Sequence, residues 1–127
     1  MSHFKPTAIV FRMASGALAG DRFGSFNLTL DGYMACLRTL QSTKVPMLLL
    51  GGGMSSSANA ARLWTVATAQ LLGVTLPTAI PYHDYFEYYG PHFALPVHPV
   101  LQDDCNTRSY LSICWYASLK PKSGVPH

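Results

Sequence analysis

The residues of this chain whose types and spacing could support chemistry are few. Gly51-Gly52-Gly53, followed by Ser55-Ser56-Ser57, could wrap backbone N–H groups around a phosphate at a helix start. The stretch fails both stricter patterns, since Ser56 stands where G-x-G-x-x-G needs its third glycine and no Gly-Lys-Ser/Thr follows. The five histidines, His3, His83, His92, His98 and His127, lack any helical or hairpin spacing suited to a metal. Asp103-Asp104 reads as a solvated loop or helix start rather than a carboxylate pair. Cys36, Cys105 and Cys114 form no CxxC pair and no zinc spacing, which points to reduced thiols.

The elements that would position these residues follow from hydrophobic pattern. Thr7-Ala8-Ile9-Val10-Phe11 is a continuous apolar run rich in β-branched residues, as expected of a strand covered on both faces. After a Gly/Ala-rich loop, 13–24, and Ser25-Phe26-Asn27-Leu28-Thr29, the positions Tyr33, Cys36, Leu37 and Leu40 mark one face of a helix. Pro46-Met47-Leu48-Leu49-Leu50 is a second buried-strand signal, ending in Gly51. A second helix is marked by Ala61, Trp64, Thr68, Leu71 and Leu72, with Ser56, Ser57 or Asn59 to cap it and Gly73 to end it. The order is that of a βαβα unit, with parallel strands joined by a crossover helix.

Residues 77–99 are rich in proline and aromatics, with a helical turn expected around Asp84 to Tyr88, and a last helix is expected from Arg108 to Leu119. Residues 120–127 read as a polar, loose tail. Phe26, Leu28, Trp64 and the Tyr85-Phe86-Tyr88-Tyr89 cluster are the expected apolar anchors.

Composition narrows the class. Of the 127 residues, 49% are hydrophobic and only 12% charged, which excludes a disordered tail and suits a mostly buried piece of a domain. A net charge of +3 with no Lys/Arg cluster argues against nucleic-acid binding. The longest apolar run, Val45 to Leu50, is too short to span a membrane, and residues 1–7 do not resemble a signal peptide. A soluble intracellular protein is expected. Two parallel strands make a poor sheet by themselves, so further strands are needed from elsewhere.

Five blocks carry a resemblance to a known family: Leu18-Ala19-Gly20-Asp21-Arg22-Phe23-Gly24; Phe26-Asn27-Leu28-Thr29; Pro46-Met47-Leu48-Leu49-Leu50-Gly51-Gly52-Gly53; Asn59-Ala60-Ala61-Arg62-Leu63-Trp64-Thr65; and Ile80-Pro81-Tyr82-His83-Asp84-Tyr85-Phe86-Glu87-Tyr88-Tyr89-Gly90-Pro91. In order and spacing they resemble the C-terminal part of class I histone deacetylases, which are zinc-dependent enzymes that hydrolyse N-acetyl-lysine. The match is best over 7–99 and continues weakly to 111.

The resemblance implies a partial arginase–deacetylase fold in residues 1–119. This α/β piece would hold the last two strands of a parallel sheet, their flanking helices and the Pro/aromatic segment. The paired histidines and the Asp-x-His ligands of the family lie N-terminal to anything matched here.

The same resemblance allows the family's site to be traced position by position. The third zinc ligand, an aspartate, falls on Gly16, five residues before Asp21, so no zinc is expected in this chain. The tyrosine that donates to the acetyl oxygen falls on Ser55; deleting one such donor costs roughly 3–4 kcal/mol of transition-state stabilisation. Phe23, Gly51, Gly52 and Gly53 would line the acyl-lysine tunnel. Of the arginines at the inositol-phosphate site, one is kept as Arg22 and another falls on Ala58; Arg22 could equally pair with Asp21 or a backbone carbonyl.

The expectation is a truncated deacetylase-like protein, inactive by itself. The family would place it in the nucleus, with the cytoplasm as a further location, in transcriptional repression. Histone would be its substrate class by resemblance only, with a corepressor or a full-length deacetylase as partner. The alternatives are a non-catalytic interaction module docking on such a partner, or a degenerate gene product.

Overall fold

The computed structural model describes residues 5–22, 26–52, 56–101, 103 and 107–119. They form a small α/β arrangement with two parallel strands and three helices. β1 (Ile9–Arg12) pairs with β2 (Met47–Leu50) in parallel, in the register Ile9↔Met47 through Arg12↔Leu50. α1 (Leu30–Gln41) makes the crossover between them, α2 (Ser57–Leu72) follows β2, and α3 is Arg108–Leu119. Short 3-10 turns span Ser15–Ala17 and Phe86–Tyr89. The chain divides into a unit of Pro6–Val100 and a second unit that contains α3. The expected tail, 120–127, lies outside the described residues.

Both central helices carry their own start signals. Thr29 caps α1, its hydroxyl accepting the Gly32 N–H at 3.2 Å, and Asp31 sits in the first turn, where the helix dipole favours an acid. Ser56 caps α2 by accepting the Asn59 N–H at 3.2 Å. Gly73 ends it at φ 68°, a left-handed backbone that a Cβ would strain.

The core lies on one side of the sheet. Leu18, Leu30, Tyr33, Met34, Leu37, Leu63 and Ala67 are buried together, with Phe11, Met47 and Leu49 of the strands packed against them. The helix faces are rotated from the expected ones. In α1 the buried stripe is Leu30, Tyr33, Met34 and Leu37, while Cys36 is exposed. In α2 it is Ala60, Leu63 and Ala67, whereas Thr68, Leu71 and Leu72 face solvent. Small alanines on that stripe are buried while bulkier leucines are not, so bulk was a poor guide to which face is inward.

The strands depart from expectation in a more telling way. Each reads as buried on both faces, yet burial alternates along both: Val10 is 65% exposed and Leu48 56%. Both flanking helices pack on the other side, and this one is left exposed among the described residues. Several expected anchors also depart from expectation. Phe26, Tyr85 and Tyr88 are exposed, while Phe86 stacks on Phe93 with ring centroids 4.5 Å apart.

Replacing Leu37 by Ala is expected to cost about 2–5 kcal/mol in urea unfolding, as a fully buried leucine should. Cys36→Ala should stay within about 0.5 kcal/mol. Equal losses at both positions would contradict the rotated stripe.

Candidate functional site

The loops after β1 and β2 leave the same end of the parallel sheet, because Arg12 and Leu50 are partners in register. The carboxyl ends of parallel strands are where open α/β sheets place their ligands. Gly16 lies in the first of these loops and Gly51 and Gly52 in the second. Phe23, Gly53 and Ser55 lie outside the described residues.

The first loop is held by two aromatic side chains from two helices. The Tyr33 hydroxyl of α1 donates to the Ala14 carbonyl at 2.5 Å, and the Trp64 indole N–H of α2 donates to the Met13 carbonyl at 3.3 Å. Farther along, Ala19 N–H donates to Leu28 O at 2.8 Å and Leu28 N–H to Ala17 O at 3.1 Å, joining the loop to the segment before α1. Asn59 of α2 reaches Ala19 O at 3.4 Å. Ser15 and Asp21 are buried, and each has polar or electrostatic partners. Gly16 is therefore carried on a loop pinned on both sides.

The second loop is shaped by close approach. A Cβ on Gly51 would stand 2.8 Å from the Trp64 ring, so the ring packs on the bare backbone there. Gly52, at φ 138°, lies under the Arg12 guanidinium, which would be 3.2 Å from an added Cβ. Trp64 is thus partly solvent-exposed at 37%, yet it fixes both loops at once.

Two residues that pattern reading left without a role also organise this end. Arg62 donates to Ala94 O at 2.9 Å, Tyr89 O at 3.1 Å and Asn59 Oδ1 at 3.2 Å, with its guanidinium 4.9 Å from the Tyr89 ring centroid. Burial lowers its pKa, an effect partly offset by Tyr89. It ties the Pro/aromatic segment to α2. The Asn27 amide pairs with Val100 in both directions, at 2.6 and 3.0 Å, much as a strand backbone would. The i, i+3 spacing of Asn59 and Arg62 on a helix was the available signal for the first tie; the second had none.

Among the described residues, no group of three His, Cys, Asp or Glu side chains is placed to hold a metal ion. Gly16 offers no side-chain donor atom. Arg22 is exposed and has polar or electrostatic partners.

Burial, and secondarily the nearby Cys36, raises the Tyr33 pKa above the ordinary 10.0. A group whose folded pKa is raised contributes stability that is full below its unfolded pKa and lost as pH climbs through the folded value. The fold should therefore weaken above about pH 10. Tyr33→Phe should cost about 1–2 kcal/mol at neutral pH by leaving Ala14 O without its donor. It should also flatten the alkaline loss, as read by urea unfolding across pH 8 to 11. An unchanged alkaline slope would count against Tyr33 as the anchor.

No family model matches the chain. Against curated proteins it is 45% identical to "Histone deacetylase 1" of Homo sapiens over 111 residues, 87% of this chain and 23% of that one. It is 42% identical to "Type-1 histone deacetylase 1" of Dictyostelium discoideum over 111 residues, 87% of this chain and 22% of that one. It is 39% identical to "Histone deacetylase 6" of Arabidopsis thaliana over all 127 residues, 27% of that protein. The chain spans about a quarter of the length of the curated relatives it matches. Across that stretch it is a homologue of the class I histone deacetylases, consistent with a C-terminal portion of their sequence.

Proposed function

We propose that residues 7–99 are the counterpart of one wall of a deacetylase active site, within a piece of an arginase–deacetylase fold that reaches to residue 119, and that this chain by itself does not hydrolyse N-acetyl-lysine. The observation that carries the reading is the shared exit of the two loops from the carboxyl end of the sheet, with Gly16 on one and Gly51-Gly52 on the other. That placement suits a tunnel wall. The two side chains the family's chemistry would take from these loops read Gly16 and Ser55.

The physical argument for inactivity is one of donors and reach. A catalytic zinc takes three protein ligands and keeps a position open, and glycine supplies none of them. A serine hydroxyl is several ångströms too short to occupy the place of a tyrosine hydroxyl, so the developing oxyanion would lose its donor. Phe23, Gly51, Gly52 and Gly53 would keep the tunnel's outline. Arg22 would remain as half of an anion clamp, with Ala58 in place of its second arm.

The relatives' printed names, histone deacetylases, support histones as the substrate class; a chromatin-linked, nuclear setting with a corepressor or a full-length deacetylase as partner belongs to the same proposal. No helix among the described residues is long and apolar enough to cross a membrane. A second reading, a non-catalytic interaction module, is favoured by one observation: the apolar sheet face at Val10, Leu48 and Leu50 is exposed.

Purified chain incubated with zinc and an acetyl-lysine peptide should release no acetate above buffer. Gly16→Asp combined with Ser55→Tyr should also release none, since the family's remaining ligands and its histidine pair have no counterpart in the matched stretch. Clear zinc-dependent turnover by the unaltered chain would overturn the inactive reading.

A further inference from the structure

Arg62 is half-buried, and its hydrogen bonds go to neutral oxygens: Ala94 O, Tyr89 O and the side-chain carbonyl of Asn59. A guanidinium carries five N–H groups in a fixed fork, so these three bonds leave one N–H on each terminal nitrogen. No carboxylate among the described residues pairs with it. Buried charges are ordinarily paired, and this one is held by neutral groups alone.

The side chain opens on a pocket of about 310 Å³ between α2 and the Pro/aromatic segment, which His83 and Tyr89 also line. The guanidinium lies 4.9 Å from the Tyr89 ring centroid, and the His83 ring packs edge-on to the same ring at 5.5 Å. His83 Nδ1 accepts the Tyr85 N–H at 3.1 Å, which leaves Nε2 to carry the proton of the neutral imidazole. Two donor side chains are thus gathered around one aromatic ring. The rest of the lining is mostly apolar, with Leu76, Ile80 and Leu95 in it, and Asp84 and Glu87 do not contribute. An apolar pocket of this size with a few convergent polar groups is the usual form of a small-molecule site. None of its lining residues belongs to the loops after β1 and β2.

We propose that this pocket binds a small monocarboxylate with an apolar body, the carboxylate accepting from Arg62 and His83 and the body lying on Leu76, Ile80 and Leu95. Charge complementarity selects the ligand. One cation calls for one negative charge, and a planar carboxylate matches two N–H groups of one guanidinium fork. A phosphate would bring a second charge into a mostly apolar lining that has no cation to meet it.

The test titrates the full chain with 2-naphthoate and, in parallel, with the uncharged 2-naphthamide, following backbone amide shifts by NMR. The acid should give saturable shifts at Ala61, Arg62, Ile80 and Leu95, and the amide should bind at least tenfold more weakly. Thr65→Glu places a negative charge at an exposed lining position of α2 and should weaken naphthoate binding at least tenfold. Ala35→Glu adds the same charge at an exposed α1 residue outside the pocket and should leave binding unchanged. His83→Phe keeps a ring against Tyr89 but removes the Nε2 donor, and should weaken binding of the acid while leaving that of the amide unaltered. Equal affinity for acid and amide, equal effects of the two glutamates, or no saturable shift at these residues would overturn the proposal.

Discussion

The stability of β1 and β2 rests on what Phe11, Met47 and Leu49 find beneath them. These side chains pack on a core built by α1 and α2 around Leu37, Leu63 and Met34. Parallel ladders are slightly weaker per residue than antiparallel ones, and parallel sheets occur almost only with both faces covered. Here one face is covered and the other presents Val10, Leu48 and Leu50 to solvent. Every other feature follows from that asymmetry: the helices order themselves around a half-buried sheet, and the loops at its end inherit their positions from it.

The loop after β1 shows how a position is fixed by side chains from elsewhere in the fold. Tyr33 and Trp64 come from different helices and each holds a carbonyl of the same loop. Trp64 also presses its ring on Gly51 of the neighbouring loop. Such anchoring fixes where a side chain at position 16 would point, but a glycine there has nothing to present. Packing and capping residues are under a different constraint from ligands: losing Leu37 costs the fold, whereas losing a ligand costs only the reaction.

Much of this was readable from the chain itself. The β-branched and leucine runs marked both strands, Gly73 and one of three candidate caps, Ser56, bracket α2, and the bounds of α3 agree with the pattern. The helix faces were less legible, because Ala60 and Ala67 are buried while the bulkier Leu71 and Leu72 are not. Tyr33 looked like an ordinary core residue; that its hydroxyl reaches Ala14, 19 positions back, depends on tertiary packing that no local pattern encodes. The exposed strand face was equally hidden, since a continuous apolar run predicts cover on both sides and does not say which chain supplies it.

The central proposal is that these loops are counterparts of a deacetylase site wall without the means to hold its metal. Zinc retention measures this most directly. The purified chain is loaded with equimolar zinc, challenged with an excess of a chelator of moderate affinity, and analysed for metal by mass spectrometry. The account predicts that no zinc stays with the chain. One zinc retained per chain under the same challenge would contradict it.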